Sequence, residues 1–325
     1  MMKLDLSGRD LTTLQGIDFP NNLESLDISE NQLISLQYCP PNIQKLYCSE
    51  NQITSLQYCP QSPQYLNCSD NQLTSLQYCP SNLQELDCSA NQLTSLQYCP
   101  QSLIHLTCYE NQLTSLQYCP TNLQYLICDQ NLLTSLKYCP TNLKELYCNS
   151  NQLISLQYCP ENVQDLGCRN NQIISLQYCP TDLQTLDCSA NQLTSLQYCP
   201  KNIKILNCSY NQLNSLQYCP PNLQKLWCDH NFITGLLNCP NSIEFLRCQD
   251  NPLSSEYVNK NLEEIKFINY IKKFKHGIEI VNKHITNQKA TIIQRCWDNY
   301  WYKPNDQEIS RHAVRGFENF KKTMV

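Results

Sequence analysis

The sequence has no run of apolar residues approaching the ~20 that a membrane-spanning helix needs. Its first ten residues, MMKLDLSGRD, lack the apolar segment of a secretory leader. No membrane association is therefore expected, and an intracellular location is. No C-x-x-C or other zinc-type ligand spacing occurs, although the chain carries 23 cysteines. Without a leader, so many cysteines imply a reducing compartment and free thiols rather than disulfides. No Ser-His-Asp set, phosphate-binding glycine loop or pair of catalytic carboxylates can be assembled, so no enzyme activity and no cofactor are expected. Basic residues are also scarce where a nucleic-acid footprint would need them. Residues 1–252 hold 10 Lys+Arg against 20 Asp+Glu, and residues 253–325 hold 13 against 8. An acidic body with a basic tail speaks against a nucleic-acid partner.

What the sequence does have is a repeat. The string NQLTSLQYCP occurs verbatim at 71–80, 91–100, 111–120 and 191–200, and near copies begin at 31, 51 and 131. The period is twenty residues. Asparagine recurs as Asn31, Asn51, Asn71, Asn91, Asn111, Asn131, Asn151, Asn171, Asn191, Asn211, Asn231 and Asn251. Leucine recurs from Leu26 to Leu246. The full unit reads L-x-x-L-x-C-x-x-N-Q-L-x-S-L-Q-Y-C-P-x-N. Its first half resembles the leucine-rich repeat signature, with Cys at a core slot. The short unit is similar to that of bacterial effector proteins, whose outer segment runs L-P-x-L-P; here Gln37 and its equivalents replace the first proline. The near-identity of the units and their Tyr- and Asn-rich composition also resemble leucine-rich repeat proteins of giant DNA viruses.

The spacing predicts a solenoid. Leu26 and Ile28 share one face of a short strand, and strands of successive units stack in parallel about 4.8 Å apart. No unit buries its apolar face alone; its neighbours do that. Twenty residues leave little room for an outer helix, and the recurrent proline (Pro40 to Pro240) favours an extended or polyproline-like return. A row of asparagine amides, each with two donors and an acceptor, can satisfy backbone groups at the turn. The two cysteine slots, 39 and 48 with their equivalents, correspond to inward Leu and Val slots of the bacterial-type unit, so the thiols are expected inside as small apolar groups. Disulfides between stacked rungs are the lesser alternative. The tyrosines at 38, 58 and onward to 218 are expected to stack along the outer back.

The outer half, NQLTSLQYCP, is nearly constant, while the strand half varies. The variable side chains on the concave face are the expected contact surface for a protein partner. Aromatic and apolar residues there gather in two groups. One is Tyr109, Tyr125, Ile127 and Tyr147. The other is Ile205, Tyr210, Trp227 and Phe245, flanked by Lys225 and Arg247. Tyr, Trp and Arg dominate interface energetics, whereas isolated exposed apolar residues are ordinary.

The solenoid is expected over 1–252, with Arg9 in the asparagine slot of a truncated first unit, and a helical C-terminal region over 253–325. Leu262, Ile265, Ile268 and Ile271 predict a helix within 257–275, followed by helices near 287–302 and 306–321 that cap the solenoid. The stretch IIQRCWDNYWYK is similar to a calmodulin-binding IQ motif at Ile293, Gln294 and Lys303, but not at Asp298 or Asn299. Cys296-Trp297-Asp298 resembles the Cys-x-Asp of repeat-bearing bacterial ubiquitin ligases, whose catalytic domain is larger than 73 residues. The leading expectation is a non-enzymatic scaffold for a protein partner. The alternatives are a ubiquitin ligase-like effector using Cys296 and a structural component of a virus particle.

Overall fold

The computed structural model describes residues 2–282, with side chains to residue 275. The chain divides into two compact units, Met1–Lys266 and Phe267–Val325. The expected helices near 287–302 and 306–321, the Ile293–Lys303 stretch and Cys296 lie outside the described residues.

The first unit is one parallel sheet wound as a solenoid. Strands β1 (Met2–Asp5) and β2 (Leu23–Asp27) are followed by β3 (Lys45–Tyr47) and ten more three-residue strands, each twenty residues further on. Among these are β6 (His105–Thr107), β7 (Tyr125–Ile127), β8 (Glu145–Tyr147), β9 (Asp165–Gly167), β12 (Lys225–Trp227) and β13 (Phe245–Arg247). Strand order follows chain order, and every neighbouring pair is parallel. From β2 onward, partners in the sheet are twenty residues apart: Leu106 faces Leu126, which faces Leu146. The alternation of a strand then fixes orientation. Leu106 points inward, whereas His105 and Thr107 point to the open face.

The core is a stack of closely similar layers. Leu46, Cys48, Ile53, Leu56 and Leu66 have no accessible surface, and the same slots repeat along the chain. Removing one such leucine leaves a cavity that costs about 2–5 kcal/mol. The asparagine column ties each layer to the one before. Asn131 Nδ2 donates to the carbonyls of Cys108, Cys128 and Asp129 at 3.0, 3.2 and 3.0 Å. Its Oδ1 accepts from the Leu113 amide at 2.9 Å. One side chain thus satisfies three carbonyls and one N–H at the turn.

The return side contains no helix. It is extended and punctuated by a β-turn, closed by the Cys39 amide donating to the Leu36 carbonyl at 3.0 Å. Tyr38 occupies the third position with φ 69°. That is a type II turn, which normally takes Gly or Asn there. The recurrent serine has a local role as well: Ser35 Oγ accepts from the Gln37 amide at 3.0 Å, where the bacterial-type unit has proline. Eight tyrosines of the row are left-handed. Tyr58 and Tyr178 are not, and these two follow Ile53 and Ile173, where the other eight units carry Leu. A β-branched side chain is stiff at χ1 and fits its buried slot differently from Leu. The expected stacking of this row is not what the structure shows. Each of the ten rings is about half exposed (48–56%), and the rings make no contact with one another. The turn splays each ring outward instead of laying it on the next.

Beyond β13 the periodic pattern ends. Ser254 N donates to the Thr234 carbonyl at 2.8 Å, and the buried Tyr257 ring packs beside Gly235. Helix α1 (Leu262–Asn282) begins five residues later than the start of the predicted helical stretch, because 255–259 form turns. Asn261 caps it. Asn261 Oδ1 accepts from the Glu264 amide and Glu264 Oε2 accepts from the Asn261 amide, both at 2.9 Å, which is a capping box.

Candidate protein-binding surface

The open face of the sheet presents two columns of side chains, one on each side of the buried leucines. Within a column, neighbours are twenty residues apart; across columns, ring contacts join residues eighteen apart. Tyr47 and Tyr65 meet with centroids 4.9 Å apart and planes at 41°. Trp227 and Phe245 repeat that geometry at 4.9 Å and 42°. His105 and Tyr125 meet within one column at 4.2 Å.

The first predicted group is partly assembled. Tyr125, Ile127 and Tyr147 line a hollow of about 170 Å³ together with His105, Thr107 and Glu145. Tyr109 is not part of this lining. Its hydroxyl lies in the field of Asp87, Asp70 and Glu110, and burial followed by those charges raises its pKa. The Tyr147 ring lies against Gly167, where a Cβ would stand 2.8 Å from Cδ1. The Tyr147 hydroxyl hydrogen-bonds the Asp165 carboxylate; burial, then the Asp165 and Glu145 charges, push the phenol up to about 12. Asp165 is itself raised by burial, an effect that outweighs the hydrogen bond from Tyr147.

The second group lies on β12, β13 and their neighbours. Ile205, Lys225 and Phe245 follow one another in register, as do Asn207, Trp227 and Arg247. Phe245 is 43% exposed and Trp227 is half-buried. Arg247 Nε lies 3.3 Å from Asp229 Oδ2. Tyr210, at φ 54°, stacks on His230 with centroids 4.1 Å apart, and His230 Nε2 lies 3.2 Å from Asp250 Oδ2.

Sequence reading missed His105, Glu145 and Gly167 in the first group, and His230 and Asp229 in the second. It also missed the Tyr47–Tyr65 pair, over which Lys3 and Lys45 stand at 5.9 Å. Counting eighteen and twenty residues from each aromatic would have found all four ring pairs.

The thiols lie on the other side of the sheet. The column from Cys48 to Cys228 is buried, and the Cys48 thiol donates to the Asn67 carbonyl of the next rung at 3.3 Å. Cysteine here is therefore also a weak donor between layers, beyond its role as apolar filler. Burial pushes the Cys48 thiol well above its ordinary range and Cys59 up to about 12, the opposite of what a nucleophilic cysteine requires.

This architecture is a leucine-rich repeat solenoid, a fold typical of protein–protein interaction scaffolds. The Leucine Rich Repeat family model matches residues 22–46. Among solved structures, YopM from Yersinia enterocolitica is 32% identical over 73% of this chain and 62% of its own, with a TM-score of 0.60. The chain thus spans about three fifths of that protein. YopM from Yersinia pestis, described as a leucine-rich effector protein, is 25% identical over 77% of this chain and 84% of its own, with a TM-score of 0.62. An internalin from Listeria monocytogenes shares the fold at 20% identity, covering 78% of this chain and 82% of its own at a TM-score of 0.67. No curated protein matches the chain. The resemblance to bacterial effector repeats is thus shown; the likeness to giant-virus proteins rests on repeat composition alone.

Proposed function

We propose that the chain is a non-enzymatic scaffold that binds a partner protein through the concave face of its solenoid, acting inside a cell. The observation that carries this reading is the division within each unit. The outer half is held nearly constant, while the strand half varies and places half-exposed rings in contiguous pairs on the open sheet face. Drift confined to the strand half fits either selection for diverse contacts or looser constraint there, and the pairing of rings on the open face favours the first. Paired rings with neighbouring charges are the composition of interface hot spots. The description of Yersinia pestis YopM as an effector protein fits a role of this kind. The acidic solenoid argues against nucleic acid as the partner. No helix among the described residues is long and apolar enough to cross a membrane.

The test is a capture experiment from cell lysate with the full chain and with the double variant Trp227→Ala/Phe245→Ala. A protein retained by the first and lost by the second supports the reading. A protein retained equally by both contradicts the assigned face.

A further inference from the structure

The hollow on β6–β8 differs from the rest of the concave face in combining rings with uncompensated acid. Its walls are His105, Tyr125, Ile127, Glu145 and Tyr147. Asp165 stands one strand further on, in register with Glu145 and hydrogen-bonded by Tyr147. From Glu85 to Asp187, the strand positions flanking the buried leucines hold five carboxylates (Glu85, Asp87, Glu145, Asp165 and Asp187) and no lysine or arginine. Two phenol faces, flanked by carboxylates in a partly desolvated recess, attract a cation through the ring quadrupoles and the charge together. An anionic or purely apolar side chain would leave those carboxylates opposed or unpaired.

Just before these strands in the chain, Gln84, Ile104, Asn122, Gln124, Asn142 and Lys144 line a second hollow of about 580 Å³, most of whose polar side chains are amides. Gln84, Ile104, Gln124 and Lys144 immediately precede Glu85, His105, Tyr125 and Glu145, so the second hollow is lined by the chain neighbours of these four strand residues. Amide side chains offer both donors and acceptors, which suits the backbone of an extended peptide.

Resting on the concave-face reading above, we propose that the hollow of Tyr125, Tyr147 and Glu145 receives an arginine or lysine side chain from an extended segment of the partner protein, whose backbone runs on into the amide-lined hollow. Gly167 belongs to the device: its missing Cβ lets the Tyr147 ring lie back against the sheet and leaves the recess open.

The test is selection of a random decapeptide phage library on the immobilised full chain, followed by fluorescence anisotropy with the selected peptide in synthetic form. The expected result is arginine or lysine enriched at one fixed position. An arginine there is then replaced by citrulline, and a lysine by its acetylated form. Either uncharged replacement should weaken binding about tenfold. The variant Glu145→Gln/Asp165→Asn, which keeps side-chain shape and is checked for folding by thermal unfolding, should bind the original peptide no better than wild type binds its uncharged counterpart. Enrichment of no peptide, or of basic peptides that bind this variant unchanged, overturns the proposal. Selected peptides that lack a basic residue yet lose binding on Trp227→Ala/Phe245→Ala overturn it while leaving the concave-face reading intact. Peptides indifferent to all four substitutions overturn both.

Discussion

The ring of Tyr147 occupies the space that a side chain at position 167 would need: a Cβ built on Gly167 stands 2.8 Å from Tyr147 Cδ1 and 3.0 Å from Asn149 Nδ2. The backbone at Gly167 is not left-handed, so alanine there brings crowding without backbone strain. Gly167→Ala should therefore leave the sheet paired and swing the half-exposed Tyr147 ring outward, at about 1 kcal/mol or less. Tyrosine fluorescence quenching by iodide should increase, with a nearly unchanged unfolding midpoint. A fall of 3 kcal/mol or more would mean that the ring cannot move and that the recess is rigid.

Asp165 carries a stability cost that its position explains. Burial raises its folded-state pKa above the ordinary value of 3.8, so the cost exists above the folded pKa. It is relieved as pH falls through that value and vanishes below about 3.8. Asp165→Asn should raise the unfolding midpoint at pH 7, and the gap to wild type should close as pH is lowered towards 4. A variant less stable than wild type at pH 7 would show that the Tyr147 hydrogen bond, not burial, dominates this carboxylate.

The left-handed tyrosines offer an internal control. Tyr158 has φ 69°, whereas Tyr178, equivalent in sequence and similarly exposed, is not left-handed. A bulky residue in this region is strained by about 1 kcal/mol or more, and asparagine tolerates it better. Tyr158→Asn should stabilise the solenoid by about 1 kcal/mol in urea unfolding, and Tyr178→Asn should not. Equal effects at the two sites would remove backbone strain as the cause.

The asparagine column should be costly to interrupt. Asn131→Ala leaves three carbonyls and the Leu113 amide without this partner in a buried turn. The loss should be about 1–3 kcal/mol or somewhat more. It should open the neighbouring layers locally, which amide hydrogen exchange at Leu113 would report as lost protection. Unchanged exchange at Leu113 would contradict the inter-layer role.

The period, the parallel register and the core columns were legible because each rests on a pattern repeated a dozen times: Leu26, Leu46 and their equivalents allow only one stacking. The asparagine column was legible for the same reason, since a buried amide at a fixed turn has few other uses. The tyrosine turn was not. The segment Leu36-Gln37-Tyr38-Cys39 lacks the Gly or Asn that announces a type II turn, and the left-handed tyrosine goes with Leu rather than Ile five residues earlier, a dependence visible only in the structure. The open face was legible by position but not by contact. The sequence groups Tyr109 with Tyr125 as exposed aromatics on neighbouring rungs, whereas the structure sets the Tyr109 hydroxyl in the field of Asp87, Asp70 and Glu110. Glu145 and Gly167 are unremarkable one at a time and acquire meaning only beside Tyr147. The capping box Asn261-x-x-Glu264 was readable and marks the helix start better than the apolar spacing did.

The assignment of the concave face as the binding face is tested most directly by affinity. With a partner in hand, its Kd is measured for wild type, for Trp227→Ala/Phe245→Ala and for Tyr158→Asn. The rings of Trp227 and Phe245 meet at 4.9 Å on the open face, and Tyr158 projects from the outer back. The expected result is a loss of about 2 kcal/mol or more for the double variant, with little change in stability, and an unchanged Kd for Tyr158→Asn. A Kd that rises for Tyr158→Asn and is indifferent to the loss of Trp227 and Phe245 would place the partner on the convex side and overturn the concave-face assignment.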